Sequence, residues 1–453
     1  MMRTCLLLGS VALVGCSINV IHVGDDPDGL TEVASLPAMV TRDLDVLFMI
    51  DNSPSMDDKQ TALLASFPTM MDQLSNLDGG LPNVHIGVAT SDLGTTGTNG
   101  VVAPGIGGTA QGGCQGHGKD GQLQSANATA LTGTFIEDID DGAGGRTRNY
   151  TGELRDVFTS IAHVGGNGCG FEQTLGAMQR ALDRTNTANA GFIRQDANLA
   201  IVILSDEDDC TASDTTSLLA ADTSALGPLQ SFRCTRYGVT CDDGGTTTDA
   251  MNTIGTKSGC HANASSPNVA GVQPIVDFVK DLKDDPSQVM VAAIVGNPDP
   301  VAVELRAPSG STTAIPALAH SCQYAGTDGS LEVADPAVRT AQFVNAFGDR
   351  GALTSVCGAD LSLPLENIGL RAKQLMGDPC IPIALAHPAS PSCVVTDGTA
   401  PMSACDTTTG DCWRIVSDTF ACAQSPDQLR VEIVRATPPT EQRYAHVKCV
   451  IAP

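Results

Sequence analysis

Four short runs of nearly unbroken apolar residues, at 45–50, 84–90, 198–204 and 289–295, limit what this chain can fold into. A strand with one face in water alternates apolar and polar side chains. A run that is apolar at almost every position suits a strand covered on both faces, as in a parallel sheet with helices above and below. Between the runs the spacing becomes helical, with amphipathic patterns over 59–77, 152–163, 171–184 and 273–283. Buried strands alternating with helices predict an α/β fold, a doubly wound and mostly parallel sheet. Residues 132–136 read as an edge strand of it.

Two long connections interrupt that rhythm inside a main domain expected over 43–376. The insertion at 94–131 opens with 11 glycines in 28 residues, the composition of a loop. The second, 207–272, carries Cys210, Cys234, Cys241 and Cys260 and reads as stapled because it lacks a core of its own. Each begins where a strand ends, on the carboxyl edge where open α/β sheets bind ligands, which makes both candidate specificity elements. Residues 377–453 change character, with six cysteines, many prolines and threonines, and strand-like runs at 413–416 and 429–434. They are expected to form a small disulfide-rich β module. Cys234–Cys241 and Cys405–Cys412, each with six residues between, read as short disulfide loops.

Residues 1–15 combine a basic start with an apolar stretch of signal-peptide length. They end in Leu13-Val14-Gly15-Cys16, which resembles the lipobox of bacterial lipoproteins. The resemblance implies cleavage before Cys16, acylation of that cysteine, and attachment to the cell envelope, with Ser17 pointing to the outer membrane. Residues 16–42 would then be a lipidated tether. Processing removes Cys5 and commits Cys16 to lipid, leaving fourteen of the sixteen cysteines, an even count that suits seven disulfides in an oxidising compartment. Acidic residues outnumber basic ones 51 to 25, a net charge of −26, so the chain's field repels nucleic acid.

The first apolar run opens directly into Asp51-Asn52-Ser53-Pro54-Ser55, and the third into Ser205-Asp206. This strand–DxSxS–helix order, with a second acidic strand end downstream and Ala293-Ile294-Val295-Gly296 after it, resembles the von Willebrand factor A (VWA) domain, a Rossmann-like fold. In that family the motif begins a metal-ion-dependent adhesion site. The resemblance covers 43–376 and implies one divalent cation, Mg²⁺ or Ca²⁺, held by Asp51, Ser53, Ser55 and Asp206. The chemistry agrees: hard cations take oxygen ligands, and alternate hydroxyls of a tight loop can point at one centre. An open position on the ion could accept a carboxylate from a partner. The sequence departs from the family where a threonine is expected. The glycine-rich turn Gly166-Asn167-Gly168-Cys169-Gly170-Phe171-Glu172-Gln173-Thr174 has Gly170 near that register, so Glu172 supplies a carboxylate, Thr174 substitutes for it, or the site has lost a ligand. Glu207, Asp208 and Asp209 read as a solvated loop held by Cys210, with a second cation as the alternative.

The expected function is therefore a lipid-anchored envelope protein binding a protein or cell-surface ligand, with an acidic side chain of that ligand as a contact the ion could take. The alternative is a scaffold with a structural or vestigial metal, its contacts made by the carboxyl-terminal module. Enzyme chemistry is not expected: Gly116-His117-Gly118-Lys119-Asp120-Gly121 matches a phosphate-loop pattern without the strand or helix it needs, and neither HExxH nor GxSxG occurs.

Overall fold

A computed structural model describes residues 29–452 apart from 39–40, 78–79, 108–112, 126–127, 222–223, 309, 328, 406–409, 420–421, 424 and 438–442. All four apolar runs are strands, Asp43–Ile50, Asn83–Thr90, Asn198–Leu204 and Val289–Val295, lying in one seven-stranded sheet. A shorter strand, Gly351–Ser355, adds to Val289–Val295 at one edge, and these five run parallel. Beyond Asn83–Thr90, Ile136–Asp140 runs antiparallel to it, and Arg146–Arg148 turns back antiparallel to that strand. The strand expected at 132–136 thus begins only at its last residue, and Arg146–Arg148 takes the edge instead.

Alternation of side chains across the sheet explains why the runs have to be apolar. Val46, Phe48 and Ile50 enter one core with the helices Asp57–Ser75, Leu154–Ala162 and Ser362–Leu375. Leu47 and Met49 enter the other, with Thr174–Leu182, Gln273–Lys280 and Val338–Asn345. Burying each such side chain contributes roughly 1.5–3 kcal/mol, so a polar residue here needs a specific partner. Asp45 has such partners: Arg194 lies 2.8 Å from its carboxylate and Lys283 3.7 Å.

The second insertion departs from expectation. Its strands Val239–Asp243 and Gly255–Ala262 join Val301–Arg306 and Ile315–Leu318, which follow Val289–Val295 in the chain, in a separate four-stranded sheet. Phe232, Val239, Met251, Val301 and Leu318 form a core beneath it, so the disulfides reinforce a packed lobe. All fourteen remaining cysteines pair: 114–169, 210–234, 241–260, 322–357, 380–422, 393–449 and 405–412. The short loop Cys405–Cys412 is present. Cys234 and Cys241 are not joined, because the helix Phe232–Gly238 gives way to a strand that sets Cys241 directly opposite Cys260.

The carboxyl-terminal module is a disulfide-rich β unit that includes the strands Cys412–Ser417 and Leu429–Val434. Part of the expected tether belongs to it. Thr31–Pro37 is a strand paired antiparallel with Tyr444–Cys449, burying Val33, Ala34 and Leu36 in the module's core. Those apolar side chains gain more from burial than a solvated linker could offer. Cys16 and the rest of 16–28 lie outside the described residues. No helix among the described residues is long and apolar enough to cross a membrane.

Candidate metal-binding rim

Parallel strands bring their carboxyl ends to one rim, and adjacent strands bring Asp51 and Asp206 there together. Asp51 follows strand Asp43–Ile50, and its amide continues the ladder to the Leu204 carbonyl at 2.9 Å. Its carboxylate is 0% exposed. One oxygen accepts from the Ser53 amide at 2.8 Å and the Ser91 hydroxyl at 3.3 Å; the other accepts from Ser205 Oγ at 2.8 Å. The tight turn Pro54–Met56 then brings Ser53 Oγ and Ser55 Oγ to 3.1 Å, and Ser55 Oγ donates to Asp206 Oδ1 at 3.2 Å. Asp51, Ser53, Ser55 and Asp206 therefore form one connected group of oxygens.

The turn carrying Glu172 is clamped across this group. The Gly168 amide donates to the Asn52 carbonyl at 2.8 Å, the Gln173 amide to the Ser91 carbonyl at 3.0 Å, and the Cys210 amide to the Glu172 carbonyl at 2.7 Å. Cys114–Cys169 ties the first insertion to the same turn. A Cβ at Gly168 would stand 2.2 Å from the Asn52 side chain and force it to move. Glu172 is 1% exposed, and neither carboxylate oxygen accepts from an N–H or O–H of the described protein. Its charged neighbours are Glu207, with which it can share a proton, and Asp51. Thr174, the first residue of helix Thr174–Leu182, is buried with its hydroxyl also unpartnered among the described residues.

Electrostatically the rim is strained toward neutrality. Burial, then the charge of Asp206, pushes Asp51 up to about 7. Burial, then Glu207 and Asp51, raises Glu172 well above the ordinary carboxyl range. Glu207 rises for the same first reason, with Asp335 and Asp206 adding to it. Asp206 is also raised by burial, although Lys59 opposes the shift. Two orphaned carboxylate oxygens beside a hydroxyl-rich carboxylate group fit a hard divalent cation. Among the described residues, no three His, Cys, Asp or Glu side chains are arranged to hold an ion.

The structure adds residues the sequence reading missed. Ser91 repeats, after strand Asn83–Thr90, the strand-then-Ser-Asp pattern of Ser205-Asp206, a signal that was available. Lys59 stands one helical turn after Ser55 and reaches Asp206 at 3.2 Å. Asp208 and Asp209, expected on a solvated loop, are buried. Asp208 accepts from the Arg339 and Thr340 amides at 2.8 and 2.9 Å, and Asp209 from the Leu175 amide at 2.9 Å. Both carboxylates serve helix amino termini, which favour negative charge.

No protein-family model matches the chain, and no curated protein matches it. Among solved structures it is similar to the pilus adhesin RrgA from Streptococcus pneumoniae, at 12% identity and a TM-score of 0.29. The match covers 93% of this chain, which spans 58% of that one. Those values are too low to carry fold or activity across.

Proposed function

We propose that the chain is a cell-envelope binding protein that holds one divalent cation, Mg²⁺ or Ca²⁺, at the sheet's carboxyl rim and uses it to grip a protein or surface ligand. In this reading the parallel sheet with three helices on each face is a doubly wound VWA-like domain. Asp51, Ser53, Ser55, Glu172 and Asp206 hold the ion, and Cys16 carries the lipid that anchors the chain to a bacterial outer membrane. The observation that carries the proposal is the meeting of Asp51, Ser53, Ser55 and Asp206 beside a Glu172 carboxylate that is fully buried and has no donor. A bound ion supplies positive charge to that carboxylate group and an electrophilic position for an acidic partner.

The protein's own residues do the rest. Ser205 and Ser91 orient Asp51, the Ser53–Ser55 contact fixes the hydroxyl pair, and the disulfide-tied turn holds Glu172 against them. In this reading Glu172, two residues beyond the register of the family's threonine, stands in for that neutral ligand. Its extra negative charge is expected to bind the ion more firmly and to weaken the ion's pull on an acidic partner.

Calorimetric titration of the purified full chain with Mg²⁺ and with Ca²⁺ tests the reading. One equivalent should bind, and Asp51→Ala and Ser53→Ala should each weaken binding at least about ten-fold, the scale of losing one charge-assisted ligand. Binding that is unchanged in both variants removes the site.

A further inference from the structure

Lys59 is a cation already present at the rim. Its ammonium is held 3.2 Å from Asp206 Oδ2, 2.8 Å from Glu332 Oε2 and 3.0 Å from the Ser55 carbonyl. Three acceptors saturate the three N–H donors of an ammonium. The side chain is 1% exposed, and it lies 5.9 Å from the centre of the Tyr324 ring. Two of its three acceptors belong to residues assigned above to the ion, the Asp206 carboxylate and the backbone of Ser55. The third belongs to a different element, the hairpin formed by strands Cys322–Ala325 and Leu331–Ala334.

That hairpin is fastened around the same spot. Tyr324 Oη donates to Asp58 Oδ2 at 3.0 Å, the Thr327 amide to Asp58 Oδ1 at 3.0 Å, and the Asp335 amide to the Asp206 carbonyl at 2.8 Å. Cys322–Cys357 anchors its first strand. The hairpin therefore touches Asp206 directly through the backbone and indirectly through Lys59.

We propose that Lys59 is an internal competitor of the divalent ion: without the ion it neutralises Asp206, and with the ion bound it is left to Glu332, so that occupancy of the rim is passed to the hairpin. The inference rests on the ion-binding reading above. Its physical content is that one carboxylate cannot fully serve both an ammonium at contact distance and a divalent ion. Two cations that close repel, and burial strengthens the repulsion. Glu332, 20% exposed, provides the ammonium with a partner outside the ion's group. Lys59 thus weakens the ion's hold, opposite in sign to the effect expected of Glu172, and keeps it exchangeable.

Calorimetry with MgCl₂ and CaCl₂ on the full chain separates the two claims. Lys59→Met keeps the length and apolar stem of the side chain while removing its charge, and should tighten ion binding at least ten-fold. Glu332→Gln strips Lys59 of its alternative partner and should weaken binding three-fold or more. Because Glu332 is partly exposed, this second variant keeps the test available if Lys59→Met does not fold. Hydrogen exchange gives an independent readout: saturating Mg²⁺ should slow exchange of the hairpin amides in the parent and leave them unchanged in Glu332→Gln. Equal affinities in all three proteins overturn the competition and leave the ion site standing. Ion binding by Lys59→Met alone supports the competition and overturns the adhesion reading. Absence of binding in all three overturns both.

Discussion

Stripped of divalent ions by EDTA, the protein is expected to lose stability as pH rises from about 4 to about 7, the opposite of ordinary acid denaturation. Burial and the neighbouring Asp206 charge set the folded-state value of Asp51 at about 7, against an ordinary 3.8. Between those values the folded state retains a proton that the unfolded chain has released, and stability falls with pH wherever the folded state binds more protons. An offset of that size corresponds to about 4 kcal/mol for Asp51 alone. Glu172, Glu207 and Asp206 are raised as well and push in the same direction. Acids held below their ordinary values, such as Glu32 and Asp397, have the opposite effect, but only below about pH 4.5, and within the window His85, lowered by burial, opposes the four raised carboxyls as a single group. Urea unfolding at pH 4.5 and 7.5 in EDTA measures the slope. Adding 10 mM Mg²⁺ should restore stability at pH 7.5 and do little at pH 4.5, where protons hold the ligand oxygens. Asp51→Asn should flatten part of the slope and abolish the Mg²⁺ effect. Equal stability at the two pH values in EDTA would refute the account of a charge-strained rim.

What the sequence disclosed about this fold follows from what burial demands of a side chain. Strands Asp43–Ile50, Asn198–Leu204 and Val289–Val295 are covered on both faces, and no position in their centres could be polar without a partner, so the runs are unmistakable. Gly351–Ser355 is a short strand at the edge of the same sheet, and five residues with Thr354 and Ser355 among them give no comparable signal. The site divides along similar lines. Asp51, Ser53 and Ser55 lie within one turn, and Ser205-Asp206 ends a strand whose neighbour was predictable, so their convergence could be anticipated. Lys59 could not be read, because its second carboxylate comes from Glu332, 273 residues away, on a hairpin the sequence did not announce. Asp208 and Asp209 misled for a related reason. An acidic run is usually solvated, and only the tertiary fold reveals that two helix amino termini and a buried arginine await these carboxylates.

That arginine should be the most costly side chain on the rim side to alter. Arg339 is 0% exposed, and its guanidinium donates to Asp209 Oδ2 at 2.8 Å, to the Asp209 carbonyl at 2.9 Å, to the Ala270 carbonyl at 2.7 Å and to the Gly238 carbonyl at 3.2 Å. Asp209, at the start of the second insertion, and Gly238 and Ala270 further along it all belong to that insertion, whereas Arg339 belongs to the helix Val338–Asn345. One planar fork thus joins the inserted lobe to the main domain. Removing one member of a buried ion pair leaves the other charge without compensation, and Arg339→Met is expected to cost about 3–5 kcal/mol in urea unfolding. The exposed pair Arg306–Glu304 offers the contrast, with Arg306→Gln changing stability by less than about 0.5 kcal/mol. If the cost comes from the abandoned carboxylate, adding Asp209→Asn to Arg339→Met should return part of it. If it comes from lost contacts to the lobe, the double variant should be no better than the single. Asp209 also accepts from the Leu175 amide at the start of the helix just beyond Glu172, so Arg339→Met should weaken Mg²⁺ binding at temperatures where the chain is still folded. Stability within 1 kcal/mol of the parent would mean that this pair does not hold the lobe and the rim together.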